Sequence, residues 1–396
     1  MNLAGASDAP GVEIIQRARA LRPLLAAEAD AIERDRQLTP NIVAALTEGG
    51  FYKLLLPKSI GGAEVPPGVF LGVLEEIGQG DASAAWCLAQ CGVCAMVAAY
   101  LDPAIAHEMF DAPHAVLAWG ATAGEAQAVS GGYRVTWRWH FASGSRQATW
   151  IGAHVQIVEP DGKKRLKPDG KPAVRTILFP RKSAIFHDVW DVVGLKGTGT
   201  DDYAVDNLFV PEKYSALRDD PSEQRESGPL YKISGSIMYG LSFAAIALGV
   251  ARATLDAAIE IARGKQSRDL KTGMKHNNVV QATIGRGEAK LRGVRAYLFG
   301  TLDEVWRALE AGQPLTTDHR LALRLASTWT IHQAAEVVDA AYHMAGATAV
   351  FHAQPFERRF RDIHAIAQQI QARDLHYESV GQVLLGLDPD ATVFAT

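Results

Sequence analysis

Apolar positions change their spacing twice along the chain, and the two changes divide it into three stretches. From residue 11 to about 117 the spacing is helical: Val12, Ile15, Ala18, Leu21 and Leu25 recur three or four positions apart, as on one face of an amphipathic helix. Thr39-Pro40 opens a second helix as N-cap and first helical residue. Gly49-Gly50-Phe51 and Gly61-Gly62 punctuate the next segments, and Asp81-Ala82-Ser83 precedes an apolar helix carrying all three cysteines. From about Ala118 the period becomes two. After the Gly131-Gly132 turn, Tyr133, Val135, Trp137, Trp139 and Phe141 alternate with other residues, which predicts a strand with these five on one face. Further strands are expected over 150–159, 173–180 and 203–210, between clusters of Gly, Pro and Asp. The block is rich in β-branched and aromatic residues, as a barrel or sandwich is. A polar linker with Asp219, Asp220, Pro221, Ser222, Glu223 and Gln224 closes it. Helical spacing then resumes to about Leu387, and the spans 276–311 and 318–345 suit an antiparallel bundle. The reading is α+β in three domains: helical 1–117, β 118–225, helical bundle 226–396.

Composition adds limits. The chain has 396 residues, more than one core usually holds. With 48% hydrophobic and 21% charged residues it reads as a soluble enzyme. A net charge of -4 gives no reason to expect nucleic acid or an anionic membrane as partner. The first ten residues lack the basic flank and apolar core of a leader. The apolar stretch from Ile237 to Val250 is shorter than a membrane span and contains Gly240, Ser242 and Gly249. Together with three cysteines, this predicts a cytoplasmic protein. Cys87, Cys91 and Cys94 share one helix face with no His or carboxylate among them. They read as small apolar residues facing a core or pocket, and no metal is expected. The basic run Lys163-Lys164-Arg165-Leu166-Lys167, flanked by Gly, Pro and Asp, reads as a hairpin tip.

Short motifs return little. No dinucleotide-binding glycine fingerprint, nucleophile elbow or His-Glu-x-x-His occurs. Gly194-Leu195-Lys196-Gly197-Thr198-Gly199-Thr200 lacks the Lys-Ser/Thr of a P-loop and leads into a strand, so alone it reads as a turn.

In order, however, four segments resemble the acyl-CoA dehydrogenase superfamily over essentially the whole chain. They are Gly49 to Pro57 followed by Gly61-Gly62; Phe141-Ala142-Ser143-Gly144-Ser145 ending at Trp150; Trp190 through Gly194–Thr200 to Val210-Pro211; and Met344-Ala345-Gly346-Ala347 followed by Arg361-Asp362. The resemblance implies an N-terminal helical domain, a central β-barrel or sandwich domain and a C-terminal four-helix bundle. It also implies a homotetramer, in which the segment around Gly346 reaches a neighbour's flavin.

Dehydrogenases of this superfamily need a carboxylate to take the α-proton of a thioester. The corresponding stretch here, Ile363 to Ile370, contains none, and Glu378 lies eight residues too far on. Trp139-His140-Phe141-Ala142-Ser143-Gly144, the Gly-Thr-Gly-Thr segment and Gly381 to Gly386 are similar instead to the two-component flavin monooxygenases. That branch includes the oxygenase components of 4-hydroxyphenylacetate and 3-hydroxy-9,10-secoandrostatriendione hydroxylases, with indole, indole-3-acetate and dibenzothiophene monooxygenases as more distant relatives. The resemblance implies diffusible reduced FMN or FAD from a separate NAD(P)H-dependent reductase. It further implies O2 as co-substrate, a C4a-hydroperoxyflavin, and hydroxylation or epoxidation of a small aromatic compound. Ser143 is then expected beside flavin N5, with Trp119 and Gly120 at the pyrimidine edge. Thr198 and Thr200 meet the ring or phosphate, or serve only the turn. Trp86, Cys94, Tyr239 and Phe243 are expected to line the substrate pocket or the core.

One departure concerns the base. Gln369 occupies the place of a histidine that phenol hydroxylases of this branch use, and glutamine cannot act as a base near neutral pH. His376 or His364 substitutes for it, or an electron-rich ring such as an indole needs no deprotonation, or the activity differs in kind. His376, seven residues on, is the nearer in helical phase. His140 is a further candidate or a packed histidine. Two other functions compete: an acyl-CoA dehydrogenase with a relocated base, and a scaffold that has lost its flavin.

Overall fold

A computed structural model describes residues 9–167, 170–218, 220–266 and 273–388. Residues 1–8, Pro168, Asp169 and Asp219, which bear on the sequence-based expectations, lie outside it. The first stretch forms helices α1 (Ala9–Ala20), α2 (Arg22–Asp35), α3 (Pro40–Glu48), α4 (Pro67–Gly80), α5 (Ala82–Ala95) and α6 (Pro103–Phe110). Their starts follow from capping chemistry. Thr39 accepts from Ile42 N ahead of α3, and Asp81 from Ala84 N, at 2.8 Å, ahead of α5.

The strands are β1 (Leu117–Val129), β2 (Gly132–Ala142), β3 (Trp150–Val158), β4 (Val174–Pro180), β5 (Ile185–His187), β6 (Asp201–Pro211) and β7 (Ser215–Ala216). They form one seven-stranded sheet in the order β5-β6-β2-β1-β3-β4-β7. β1 and β3 run parallel and the other pairs antiparallel. Trp139 and Tyr203 stack at 5.2 Å inside it. The predicted alternation of β2 holds only in part. Tyr133, Val135 and Trp139 are buried, but Trp137 and Phe141 are 40% and 58% exposed. The β2–β6 register shifts between Val135 and Trp137 and again between Trp139 and Ala142. The second shift places an extra residue in β2 and turns Phe141 away from the face of Trp139, whereas the first places it in β6, so Trp137 keeps the parity of Trp139 and is partly exposed over Gly124.

The last stretch forms α7 (Gly235–Gly264), α8 (Asn278–Glu310), α9 (Thr317–Ala345), α10 (Phe356–Ala367) and α11 (Leu375–Leu384). The apolar stretch from Ile237 to Val250 is part of a 30-residue helix, longer than its apolar pattern alone predicts. Ala82–Tyr100 and Gly235–Gly264 are both long and apolar enough to cross a membrane, yet are 94% and 83% buried inside the protein. A helix apolar on every side is stable in water only at the centre of a fold, and α7 lies there, packed on α4, α5, α8, α9 and α10.

The α4–α7 contact sets how closely the N-terminal helices approach the bundle. A Cβ on Gly249 would lie 2.4 Å from Glu75 O, and one on Gly78 would lie 3.2 Å from Ile246 O. The helices meet backbone to backbone, with no room for a methyl group on Gly249. Gly249→Ala is expected to cost about 1–3 kcal/mol by overpacking. Urea denaturation tests this, and a loss below about 0.5 kcal/mol would show that the crossing yields.

Candidate active site

The site is built on the two irregular points of the sheet. The β1–β3 register shifts between Trp119 and Ala123, and the β2–β6 register between Trp139 and Ala142. Gly120 lies against His140 O, which a Cβ there would approach to 2.4 Å. Phe141 is held at φ +64°, a conformation unusual for a bulky residue. The strand thus ends abruptly, and Ser143 enters a turn beneath α5.

Ser143, Thr198 and Thr200 are 3%, 2% and 3% exposed, and the structure brings them together with Trp86. Trp86 Nε1 donates to Ser143 Oγ at 3.1 Å, Ser143 Oγ meets Thr200 Oγ1 at 2.7 Å, and Thr200 Oγ1 meets Thr198 Oγ1 at 2.7 Å. The chain ends at a carbonyl, because Thr198 Oγ1 donates to Leu195 O at 2.8 Å. That last bond fixes the direction of all the others. Each hydroxyl has one proton, so Thr198 accepts from Thr200, and Thr200 accepts from Ser143. Ser143 therefore has its proton committed inward and an acceptor lone pair to spare.

A line of rings continues from Trp86. Trp86 stacks on Phe243 at 3.8 Å and 3°, Phe243 lies 5.9 Å from Tyr239, and Tyr239 Oη meets Cys94 Sγ at 3.5 Å. These are the four expected pocket residues, in one cluster between α5 and α7. Trp119 carries the Arg218 guanidinium over its ring at 5.1 Å and meets His154 edge-on at 5.2 Å. Burial, with Arg218 nearby, holds His154 well below the usual histidine range. It is neutral, and Nδ1 contacts Thr176 Oγ1 at 2.9 Å. Gly120 is turned inward, its N–H donating to Tyr203 Oη at 3.3 Å. Sequence reasoning missed Arg218, His154 and Gln90. Only Gln90 had a local signal, since it falls midway between Trp86 and Cys94 on one helix face.

The threonine loop is held from behind. Asp362 on α10 accepts from Leu195 N at 2.6 Å, and Arg361 donates to Val193 O at 2.7 Å. Arg361 and Arg358 also pair with Glu33 on α2, at 2.8 and 2.7 Å. Asp362 and Asp81 are both buried, and burial pushes their carboxyl groups up to about 7 and about 6.

Other predicted residues lie elsewhere. The structure ties His376 to α9: Arg324 donates to Nε2 at 2.8 Å, and Nδ1 contacts Thr328 Oγ1 at 2.8 Å. Both ring nitrogens are engaged, and burial beside Arg324 lowers its pKa to about 4. The expected helical phase between Gln369 and His376 is broken, because α10 ends at Ala367 and a 3-10 turn spans Ile370–Ala372. Gln369 caps that turn, accepting from Gln371 N at 2.8 Å. His364 pairs with Asp339 at 2.9 Å, and His140, on an exposed position, contacts Asp202 at 2.8 Å. Glu378 is exposed on α11, and Gly346 is exposed at the end of α9.

Comparison with known proteins adds what geometry alone does not. Residues 16–109 match "Acyl-CoA dehydrogenase, N-terminal domain" and residues 241–373 match "Acyl-CoA dehydrogenase, C-terminal domain". The chain is 30% identical over 359 residues to the indole-3-acetate monooxygenase of Pseudomonas putida, covering 90% of each chain. It is 27% identical to the flavin-dependent monooxygenase oxygenase subunit HsaA of Rhodococcus jostii, covering 89% of this chain and 92% of that one. The order of these identities reverses the expectation that indole-3-acetate monooxygenases stand further off. Among solved structures, XiaF from Streptomyces sp., in complex with FADH2 and glycerol, superposes with a TM-score of 0.88 at 22% identity, covering 96% of each chain.

The Asp362 latch makes the fold sensitive to pH. Its folded pKa lies above the ordinary 3.8, so the folded state binds the proton more tightly than the unfolded chain. The stability from this group is therefore fullest below about pH 4, declines as pH rises to about 7, and is level above that. Asp362→Asn keeps an acceptor for Leu195 N–H but cannot ionise. The gain in denaturation midpoint of the variant over the parent should grow from about pH 4 to about pH 7 and then level off. A constant offset across that window would show an ordinary carboxylate.

Proposed function

The chain belongs to the acyl-CoA dehydrogenase superfamily, among its flavin-dependent monooxygenases, and from that premise we propose that it hydroxylates or epoxidises a small aromatic compound, of indole or phenol type, as an oxygenase component using reduced flavin and O2. A separate NAD(P)H-dependent reductase supplies the flavin, FMN or FAD.

The observation that carries the reading is the polarity of the hydroxyl chain. Reduced flavin presents an N5–H donor, whereas oxidised flavin presents N5 as an acceptor. Ser143, with its proton given to Thr200 and a lone pair to spare, fits the reduced form. The fully buried Ser145 Oγ in the same turn has no hydrogen-bond partner, as befits a wall that meets a polar-edged ligand. Ser143, Thr198, Thr200 and the backbone at Trp119 would hold the flavin. When bound, it supplies the two electrons that activate O2. This chain's own part is to orient and to exclude water. Trp86 and Phe243 keep solvent from Ser143, and the ring cluster of Tyr239 and Cys94 seats the aromatic substrate.

No base is required of His376 or Gln369 on this reading, which favours an electron-rich ring over one that must first lose a proton. The dehydrogenase alternative lacks its carboxylate at 363–370, and Glu378 faces solvent. A homotetramer is also proposed, supported by Val350, Phe351, Leu384 and Leu385, which are 59%, 63%, 82% and 79% exposed. Sedimentation as a monomer at micromolar concentration would remove it.

With a flavin reductase and labelled O2, the protein should place one labelled oxygen in an indole or a phenol. Reoxidation of flavin without labelled product across such a panel would end the proposal. Thr200→Val releases the Ser143 proton to point at the ligand. The ratio of oxidised-flavin to reduced-flavin Kd should then fall about three- to tenfold. An unchanged ratio in anaerobic titrations would separate Ser143 from N5.

A further inference from the structure

Two histidines, His332 on α9 and His376 on α11, have their protons placed by their partners. Arginine only donates, so the 2.8 Å contact from Arg324 Nη1 makes His376 Nε2 an acceptor. The ring proton is therefore on Nδ1. It is given to Thr328 Oγ1 at 2.8 Å, and Thr328 donates in turn to Gln371 O at 3.0 Å. Burial leads to the same assignment, since it holds His376 down at about 4. His332 forms a second relay of the same kind. Its Nε2 donates to Ala372 O at 2.8 Å, and its Nδ1 accepts from the Tyr377 hydroxyl at 3.0 Å. Thr328 and His332 are four residues apart on α9, so the two relays lie side by side.

Both relays end on carbonyls of one short turn, Ile370–Ala372. The other side of that turn rests on α7. A Cβ on Gly240 would meet Gln371 Cγ and Ser327 Cβ at 3.7 Å each, an ordinary packing distance. Gly240 follows Tyr239 and precedes Phe243 by three residues, so all three share one side of α7. The turn thus backs the helix face that carries two members of the ring cluster. A cavity lined by Ser236, Gly240, Ser327, Gln371 and His376 lies at this contact, so packing alone does not fix the turn.

We propose that His376 and His332 are positioning residues for oxygenation: their relays hold the Ile370–Ala372 turn against α7 and so fix one side of the substrate seat. The inference rests on the monooxygenase reading above. It gives each imidazole a proton that is committed to the fold, and gives neither one the part of a base.

The test uses the full protein with reductase, flavin and O2, and an indole or phenol that the parent oxygenates. His376→Phe should raise KM for the aromatic about tenfold, the worth of one lost hydrogen bond, and leave kcat within about threefold. Thr328→Val breaks the same relay without touching either histidine and should reproduce that KM. The double variant should be no worse than either single one. His376→Gln, which both accepts and donates but cannot act as a base, should restore KM to within about threefold of the parent. A fall in kcat of about a hundredfold or more, shared by His376→Gln, would make His376 a base and overturn the inference. KM unchanged in both His376→Phe and Thr328→Val, with only Tm lowered, would overturn it too and leave the monooxygenase function standing. If the parent oxygenates no aromatic, the function fails instead, and hydrogen exchange decides the relays. The Gln371 and Ala372 amides should then exchange about tenfold faster in Thr328→Val than in the parent, and equal rates overturn the relays as well.

Discussion

The hydrogen bond from Leu195 N to the buried carboxylate of Asp362 joins parts of the chain that are 167 residues apart. Everything proposed for the site depends on it. Leu195 is in the left-handed region, at φ +52°, a conformation that costs energy for a branched side chain unless its surroundings impose it. With Leu195 held there, its carbonyl receives Thr198, and the order of donors back to Ser143 and Trp86 is determined. α10 thus acts on the site without touching it. It supplies the fixed end of a hydrogen-bond chain whose other end is an indole N–H on α5. Arg361, beside Asp362, joins Glu33 of α2 to Val193 O of the same loop, and Arg358 ties α10 to α2, so helices from both ends of the chain meet at this loop.

The sheet contributes by being irregular. A regular β2 would carry Phe141 inward with Trp139 and continue its ladder past Ala142. The two register shifts give up some pairing to end the strand beneath α5, where Ser143 can meet Trp86. Such irregularities are local features of pairing between distant strands, which explains why alternation along β2 misplaced Phe141. The segments that surround them were legible all the same. Ser143, Thr198 and Thr200 lie in short stretches whose order along the chain carries the family signal, while the clustering of Trp86, Cys94, Tyr239 and Phe243 is seen only once α5 and α7 are packed.

The proton inventory was not legible, for a physical reason. Extrapolating from Gln369 to His376 assumed a continuous helix, but α10 stops at Ala367 and the turn at Ile370–Ala372 resets the phase. Arg218 could not be found by spacing because its neighbours Trp119 and His154 lie on other elements. Gln90 resembles any polar residue in an apolar helix until its unpaired oxygen is seen. Charge in a site of this kind is assembled by tertiary packing, whereas shape is written largely in local pattern.

The backbone contact of Gly78 and Gly249 bears on how such a protein diversifies. The spacing between its N-terminal helices and its bundle is set by main-chain atoms, not by the side chains of the ring cluster. Residues such as Gln90, Cys94 and Tyr239 can therefore be exchanged without reopening the frame, and a change of substrate need not be accompanied by a change of architecture. Selection can act on recognition and on assembly separately, which permits one scaffold to be retained while the molecules it oxidises are replaced.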